Sequence, residues 1–493
     1  MSEKNFNVKL TVPKDISFLP VMLAYVKELA KKIGFDEDSK LKIQLGVEEA
    51  ITQLSGQAFA RQQDETFEIA CEETTLGMTV AIREAGVPVD QSWLSEAEIE
   101  KIEKDFLDKE SALAMIRKFV DDISFQNMGL NNIEIHLTKY LSTKPVQDYL
   151  STDDLEITTT TQKVTHKVRL MKPSEALEVS KCAYLSYGSM YTHENIYYPE
   201  RVKQLNEAEK LISLVAVTKK NEVMGHIALI ISDYDNKIAT GGLAFVNPKY
   251  RGQGCLQSLL AGMFQEGPKR NLVGICGQAT ATHPYAQKGL HKFGMKDCAV
   301  LLSKLPPAEA KGGIKADSFQ RRSLFYCFAY LEKPDGLTLY APSEHRDMIE
   351  KIYTNSDITP KFLEPGNTDQ ALSGEDTRIS IHFDGSGTAN IDVISYGKDA
   401  VEVVSKTLKR LCAEKLETIY LYLRLADPLT AVVSSEFEKL GFFFSGIMPG
   451  SSGKDRMGLQ YLNNQAFNYE SLRAASKLGR ELISYIRDRD PSL

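Results

Sequence analysis

Histidine and cysteine are scarce in this chain, and neither residue type is clustered. The 493 residues include 8 histidines and 7 cysteines. No H-E-x-x-H, H-x-H or C-x-x-C pattern occurs, so we expect no metal site. The cysteines are scattered and odd in number, which favours reduced thiols over disulfides.

Long apolar runs and blocks of one charge are also lacking. No stretch approaches the ~18 consecutive apolar residues of a membrane span. The first ten residues, MSEKNFNVKL, do not show the charged-then-apolar pattern of an export signal. The net charge is −7, whereas nucleic-acid binding requires a basic stripe that displaces counterions. We therefore expect a cytoplasmic protein that binds neither membrane nor nucleic acid.

The chain is too long for a single hydrophobic core. Hydrophobic residues make up 43% and charged residues 25% of the sequence, as in soluble globular proteins, and a chain of this length is expected to form several domains. Alternating strand and helix patterns predict an α+β multidomain protein. We divide it into a domain at 1–145, a linker at 146–163, a domain at 164–335, and a domain at 336–493. The last domain closes with an amphipathic helix, Tyr469–Arg487, which either packs on its own domain or serves as a dimerisation arm.

A glycine loop between a strand and a helix is the most informative pattern. Gly242–Val246 is typical of a buried strand, and Pro248 ends it because proline cannot continue a ladder. The loop Arg251-Gly-Gln-Gly254 follows, and then an apolar-faced helix at Cys255–Gln265. Backbone N–H groups at a helix start lack partners and carry partial positive charge, so such an end can bind a phosphate. The alternative is a plain tight turn before a helix.

This segment resembles the GNAT superfamily of N-acetyltransferases. The family's cofactor signature is Q/R-x-x-G-x-G/A after a bulged strand ending in V-x-P. Here Arg251, Gly254 and Val246-x-Pro248 match, while Leu256 stands at the last small position. The resemblance implies acetyl-CoA as cofactor, bound where two strands splay apart. It assigns the pantetheine arm to the main chain of Ala244, Phe245 and Val246, and the pyrophosphate to the amides of Arg251, Gly252, Gln253, Gly254, Cys255 and Leu256.

The catalytic residues are less clear from the sequence. Many GNAT enzymes place a tyrosine acid four residues before the glycine of the last helix, but here Leu290 precedes Gly294 at that spacing. We name Tyr285 as a candidate acid and His283 as a candidate base or cofactor contact. Alternatively, His283 only caps the helix. A helix start would also lower the pKa of the Cys255 thiol.

A tyrosine-rich stretch follows the first helix of the same segment. Its side chains would either line a pocket for the acyl acceptor or pack as core. The tyrosines concerned are Tyr184, Tyr187, Tyr191, Tyr197 and Tyr198.

The first segment resembles the GHKL ATPases, in particular the anti-sigma-factor serine kinases. In that family one helix carries a glutamate base and, four residues later, an asparagine that holds magnesium. Here Glu49 matches and Gln53 replaces the asparagine, while the second nucleotide box has Glu84 and Gly86 in place of D-x-G-x-G. The altered boxes imply that kinase activity is absent and leave residual ATP binding open. They favour a fold kept for regulation or for docking a protein partner.

The third segment repeats the second half of the acetyltransferase plan. A strand at Asn390–Tyr396 precedes a helix at Asp399–Lys415, and the sequence EKLGF at 438–442 is a common GNAT ending. No R-x-x-G-x-G loop is present, so we interpret this segment as a degenerate second copy. The alternative is an unrelated α+β domain.

Together these patterns predict a GHKL-like α/β sandwich, a GNAT fold and a second, degenerate GNAT-like domain. The function they favour is acetyl-CoA-dependent N-acetylation of an amine on a small molecule or a protein, under a regulatory domain with a degenerate ATP site. The alternative is a non-catalytic, partner-switching regulator that senses acyl-CoA or nucleotide.

Overall fold

The computed structural model describes most of the chain. The described residues are 6–56, 66–85, 115–128, 133–151, 163–189, 191, 193–232, 234–307, 320–366, 376–384 and 387–493. Within these ranges no helix combines the length and the apolar character needed to cross a membrane.

The first segment folds into an antiparallel sheet covered by two helices. Its strands are β1 (Asn7–Pro13), β2 (Thr66–Glu73), β3 (Gly77–Ala85), β4 (Asp122–Met128) and β5 (Ile133–Tyr140), and its helices are α1 (Leu19–Ile33) and α2 (Glu37–Gly56). The strand order is β1-β2-β3-β5-β4. Helix α1 buries Met22, Val26 and Ala30, spaced four residues apart on one face, against this sheet. The arrangement is the predicted two-layer sandwich.

One predicted helix of this segment is wrong at its end. The apolar pattern of residues 111–123 predicts a helix, yet Asp122–Met128 forms β4. Buried Ile123 and Phe125 alternate with the less buried Ser124 and Gln126, and this period of two is that of a strand. Residues 111–114 lie outside the described ranges.

The middle segment has seven strands in the order β6-β7-β8-β9-β10-β12-β11. Its strands are β6 (His166–Leu170), β7 (Leu211–Thr218), β8 (Val223–Ile231), β9 (Ile238–Val246), β10 (Gly274–Thr280), β11 (Lys296–Leu305) and β12 (Arg322–Tyr330). Its helices are α3 (Ala176–Tyr187), α4 (Pro199–Glu207), α5 (Cys255–Lys269) and α6 (Tyr285–Lys292). All neighbours are antiparallel except β9 and β10, which run parallel.

The predicted linker at 146–163 begins as a packed segment. Val146 is fully buried in a cluster that includes Ala176 and Val179 of α3. The chain therefore anchors the first segment to the middle one before it reaches residues 152–162, which lie outside the described ranges.

The third segment repeats part of the middle one. Its strands are β13 (Thr338–Leu339), β14 (Lys361–Phe362), β15 (Arg378–Phe383), β16 (Thr388–Ser395), β17 (Thr418–Arg424), β18 (Phe443–Met448) and β19 (Arg456–Leu462), and its helices are α7 (Arg346–Thr354), α8 (Ala400–Ala413), α9 (Pro428–Lys439) and α10 (Lys477–Arg487). The order β15-β16-β17-β19-β18, with β16 and β17 parallel, matches β8-β9-β10-β12-β11. Helix α10 covers only the second part of the predicted Tyr469–Arg487 helix, whose start at Tyr469–Ser471 is a single 3-10 turn. Its buried Leu482 and Ile486 pack in the core, and the helix contacts β18 of the third segment and β11 of the middle one, so it does not pack on its own domain alone.

Two strand contacts join the three sheets into one of 17 strands. Strand β4 pairs antiparallel with β15 over five residues, from Arg378 opposite Met128 to His382 opposite Ser124. Strand β11 meets β18 where Ala299 faces Gly446. Both residues stand five positions after the glycine that follows a helix, Gly294 and Gly441 respectively. The two repeats therefore face each other through equivalent strands.

Candidate functional site

Strands β9 and β10 pair at their beginnings and then part. Ile238–Gly241 pairs with Gly274–Gly277, and the pairing stops there. Beyond that point β9 continues against β8 alone, and β10 continues against β12. Because the strands are parallel and diverge, an opening forms between their carboxyl ends. The main chain of residues 244–246 lies along one edge of it.

A β-bulge lies at the closed end of this opening. Phe245 pairs with His226 and Gly242 with Ala228, so the β9 residues between them have one residue too many for the ladder. Leu243, inside the bulge, has a left-handed φ of 51°. His226 is fully buried and bonds the Leu243 carbonyl oxygen through Nδ1 at 2.8 Å, and its ring stacks on Phe245 at a centroid distance of 5.0 Å.

The loop after β9 turns sharply and leaves its backbone open. Gly252 and Gly254 have φ values of 77° and 78°, in the left-handed region that favours glycine. No heavy atom lies within 4 Å of a Cβ built at either glycine. Helix α5 starts directly after Gly254 with no acidic residue in its first turn. Its first amides have no intrahelical acceptors and can receive an anion.

The loop brings the predicted cofactor residues together, but these residues differ in their exposure to solvent. Arg251 and Leu256 are exposed at its mouth, and the Gln253 side chain accepts a hydrogen bond from the Val164 amide at 3.1 Å. Cys255 is buried, and burial raises the pKa of its thiol. The expectation of a lowered thiol pKa at this helix start is therefore wrong, because desolvation outweighs the backbone hydrogen bond that lowers the pKa.

The predicted catalytic residues lie at the start of α6. Tyr285 is 77% exposed, and its ring centroid lies 5.4 Å from that of His283. The N-cap residue of α6 is Pro284, whose side chain cannot make a capping hydrogen bond, and His283 stands one residue before it. Leu290, at the position of the family's tyrosine acid, packs against β10: its Cδ1 lies 3.2 Å from a Cβ built on Gly277. An aliphatic group thus stands near the closed end of the opening.

The tyrosine-rich stretch packs as an aromatic cluster on β9. Tyr197 is buried, and its hydroxyl accepts a hydrogen bond from the Tyr191 amide at 2.8 Å. The Tyr191 ring lies against Phe245 at 6.2 Å. Its hydroxyl lies within reach of the amides of Leu243 and Ala244 in the bulge, and burial raises its pKa. Tyr191 therefore holds a protonated hydroxyl beside the bulge.

Sequence reasoning missed two histidines. It assigned His291 no role, yet His291 Nε2 lies 2.8 Å from Asp297 Oδ1. Cys327 Sγ donates to the same oxygen, and Ser476, which caps α10, donates to the other. These groups satisfy each other, so the cluster ties α10 to the middle sheet. His226, the second, was missed because a histidine in an apolar strand resembles core.

The nucleotide positions of the first segment are only partly described. Glu49 lies on α2, and Glu84 lies in β3, whose backbone faces Phe67 of β2. Helix α2 contacts β3, so the two boxes are on neighbouring elements. Gln53 belongs to α2, and Gly86 lies outside the described ranges, as does the third box.

The start of α8 in the third segment corresponds to the start of α5 in the middle one, but it carries carboxylates. At the start of α8, the Asp399 carboxylate accepts a hydrogen bond from the Thr377 amide at 2.8 Å. Glu402 adds a second acidic group in the first turn. Because these charges occupy the positive end of the helix, the site is unsuited to a diphosphate.

Comparison with known protein families agrees with the resemblance of the first segment. Residues 12–138 match the family model of the histidine kinase-like ATPase domain. This match covers about a quarter of the chain and confirms the resemblance of its first segment. A search of curated proteins gave no match.

Among solved structures, the similar ones include acetyltransferases of three bacteria. The ribosomal-protein-S18-alanine N-acetyltransferase from Escherichia coli is 12% identical and covers 35% of this chain and 97% of its own, at a TM-score of 0.28. The ribosomal-protein-S5-alanine acetyltransferase from Vibrio fischeri is 15% identical and covers 36% of this chain and 100% of its own, at a TM-score of 0.28. A putative acetyltransferase from Salmonella typhimurium with its cofactor acetyl-CoA is 12% identical and covers 35% of this chain and 97% of its own, at a TM-score of 0.29.

Proposed function

We propose that this chain is an acetyl-CoA-dependent N-acetyltransferase whose catalytic domain is the segment 164–335. The observation that carries the proposal is the helix start after Gly254, with left-handed turns and open space at Gly252 and Gly254, placed at the mouth of two diverging strands. A diphosphate fits such a row, because the amides at a helix start combine free donors with a positive dipole end. Arg251, exposed at the same mouth, adds a cation.

The residues around the opening can serve each part of acetyl transfer. When bound, acetyl-CoA supplies an activated acetyl group: the amine nitrogen forms a bond to its carbonyl carbon, and the carbon–sulfur bond breaks. The free edge of Ala244–Val246 can pair with the pantetheine amides. The bulge amides that now meet the Tyr191 hydroxyl can donate to the carbonyl oxygen. Tyr191 or Tyr285 can then give a proton to the leaving sulfur, and His283 can accept one from the amine.

The segments 1–145 and 336–493 would have supporting roles, one regulatory and one structural. In our proposal the ATPase-like domain regulates or docks a protein partner and does not phosphorylate, since Gln53 and Glu84 depart from the family's boxes. The degenerate repeat completes the sheet and carries no cofactor, because Asp399 and Glu402 occupy its helix start.

Leu290 favours a second candidate function. An aliphatic side chain stands where the family has its thiolate acid, and this would suit a regulator that binds acyl-CoA without turning it over. In that case ligand binding in the middle segment would be signalled to a partner protein.

Thermal unfolding with acetyl-CoA tests the cofactor site. A ligand at about 100 times its Kd stabilises the native state by about 2.7 kcal/mol, so acetyl-CoA should raise the Tm of the wild type. Gly254→Glu puts a carboxylate among the amides and should abolish the shift. Gly336→Glu is the matched control, because Gly336 is also exposed, has a φ of 70° and has open space around it. An unchanged shift in Gly254→Glu would show that the loop is not the site.

Turnover separates the two candidate functions. Labelled acetyl-CoA would be incubated with small amines, peptides and ribosomal proteins, the last because two of the structural neighbours are named for acting on them. Acetylated product supports the enzyme, whereas binding without product across the panel supports the sensor. A parallel Tm measurement with Mg-ATP tests whether the first segment binds nucleotide.

A further inference from the structure

A cavity of about 340 Å³ lies between the first and the middle segments. The first segment contributes the β2–β3 turn at Thr74–Leu76 and the end of β5 at Thr138 and Tyr140. The middle segment contributes His193 and Asn195 before α4, α4 itself, and the end of β8. Its volume lies in the range of small-molecule sites.

The wall between the two segments is held by specific contacts. The Arg201 guanidinium of α4 lies between two rings, 5.0 Å from the centroid of Tyr140 and 4.0 Å from that of Tyr198. Its Nη1 donates to the Asn195 side chain at 3.2 Å. Such cation–π pairs hold best when partly desolvated. The cavity is therefore formed by a fixed interface and belongs to both segments.

The cavity reaches the bulge of β9. Leu243, the bulged residue, lines it together with Ile230 of β8. On the edge of the same bulge lie the amides that a thioester carbonyl would meet. A molecule in the cavity would thus have one end next to the reacting carbon of the proposed cofactor.

The lining selects against highly charged ligands. Among the described residues that line the cavity none is acidic; most are aliphatic, and the others are three threonines, a histidine, an asparagine, Tyr140 and Lys210. A polyamine needs carboxylates to compensate its charges when it leaves water. An amine that enters here must shed a first proton before attack, and the His193 imidazole in the wall can accept it, while His283 would accept the second proton, which the nitrogen releases on acylation.

We infer that this cavity binds the acyl acceptor, and that the acceptor is a primary amine with a small, mainly apolar body. The inference rests on the proposed function. It gives the ATPase-like domain a direct part in acetyl transfer, since that domain forms one wall of the acceptor site.

The test fills the cavity from each wall in the full-length chain. Thr75→Trp fills it from the first segment and Ile231→Trp from the middle one, while Glu72→Trp places the same bulk outside the lining. With 2-phenylethylamine as the probe, both filling variants should raise KM at least tenfold, and Glu72→Trp should not. The acetyl-CoA Tm shift should be the same in all four proteins, which also verifies folding.

Further outcomes distinguish the two proposals. Unchanged KM in both filling variants, or better turnover with spermidine than with 2-phenylethylamine, overturns the inference and leaves the acetyl-CoA site standing. Absence of any acetyl-CoA shift in the wild type overturns the proposed function itself. His193→Gln should lower kcat at pH 7 and less so near the pKa of the amine, where no base is needed; an equal loss at both pH values overturns its role as base.

Discussion

His226 and Leu243 are joined by a hydrogen bond of 2.8 Å between an imidazole Nδ1 and a backbone carbonyl, inside the sheet. A left-handed φ costs a non-glycine residue about 1–2 kcal/mol, and Leu243 adopts one at 51°. The bond to His226 and the burial of the Leu243 side chain offset that cost. The bulge that shapes the closed end of the opening is therefore maintained by a neighbouring strand.

Replacing this histidine should loosen the bulge. His226→Phe keeps an aromatic ring for Phe245 but leaves the Leu243 carbonyl without its donor, which should cost about 1–3 kcal/mol of unfolding free energy. Burial lowers the pKa of His226 to about 4, so its contribution is complete above pH 6.5 and is lost as pH falls toward 4. Urea denaturation from pH 4 to 8 should show a shallower pH dependence in the variant than in the wild type. Equal slopes would contradict this.

Asp455 should give the opposite pH dependence. It is buried, accepts a hydrogen bond from the Tyr353 hydroxyl at 2.7 Å, and burial raises its pKa to about 6. The native state therefore favours the proton, and this contribution is complete below pH 3.8 and is lost as pH rises through 6. Asp455→Asn keeps an acceptor oxygen without the charge, so at pH 8 it should be more stable than the wild type by about 3 kcal/mol.

The matched control for Asp455→Asn is Asp357→Asn, at an exposed carboxylate paired with Lys333. It should keep the pH profile of the wild type in the same denaturation series. If Asp455→Asn also follows the wild type from pH 4 to 8, the carboxyl group does not titrate as described.

Two tyrosines compete as the proton donor of acetyl transfer. Tyr191 holds its hydroxyl beside the bulge, whereas Tyr285 is mostly exposed at the start of α6. We expect Tyr191→Phe to lower kcat by about 100-fold, at the lower end of acid–base effects, and Tyr285→Phe to change it little. The measurement is kcat at saturating acetyl-CoA. The reverse ranking would move the donor to α6.

Gly446 should tolerate no side chain. A Cβ there would overlap the Ala299 Cα and the Cys298 carbonyl oxygen, so Gly446→Ala must push the two repeats apart. We expect a loss of about 3 kcal/mol in unfolding free energy. Gly289→Ala, in α6 with open space around it, should be neutral or gain up to about 1 kcal/mol. Similar effects from both variants would argue against close contact between β11 and β18.

The loop after β9 was predictable because residues adjacent to one another in the sequence determine its geometry. Pro248 ends a strand, and Gly252 and Gly254 take the left-handed turns that other residues avoid. The repeat in the third segment was predictable for the same reason, since helix, glycine and strand follow each other closely at 428–448.

The features that could not be predicted depend on contacts between residues far apart in the sequence. The strand β4 lies next to β5 and β15, and the second of these is more than 250 residues away. The raised pKa of Cys255 reflects burial by the whole domain. His226 could be recognised only after the bulge opposite it was known. Its bond to the Leu243 carbonyl oxygen, and not its burial, distinguishes it from an ordinary core residue.

The pairing of β4 with β15 has a consequence for how the protein can be divided. If residues 1–145 were removed, the backbone groups of Arg378–His382 that face β4 would lose their partners, and β15 would become an exposed sheet edge still paired with β16 on its other side. Such an edge recruits strands from other molecules. A shortened protein would thus tend to self-associate, and activity measured on it would describe an aggregate.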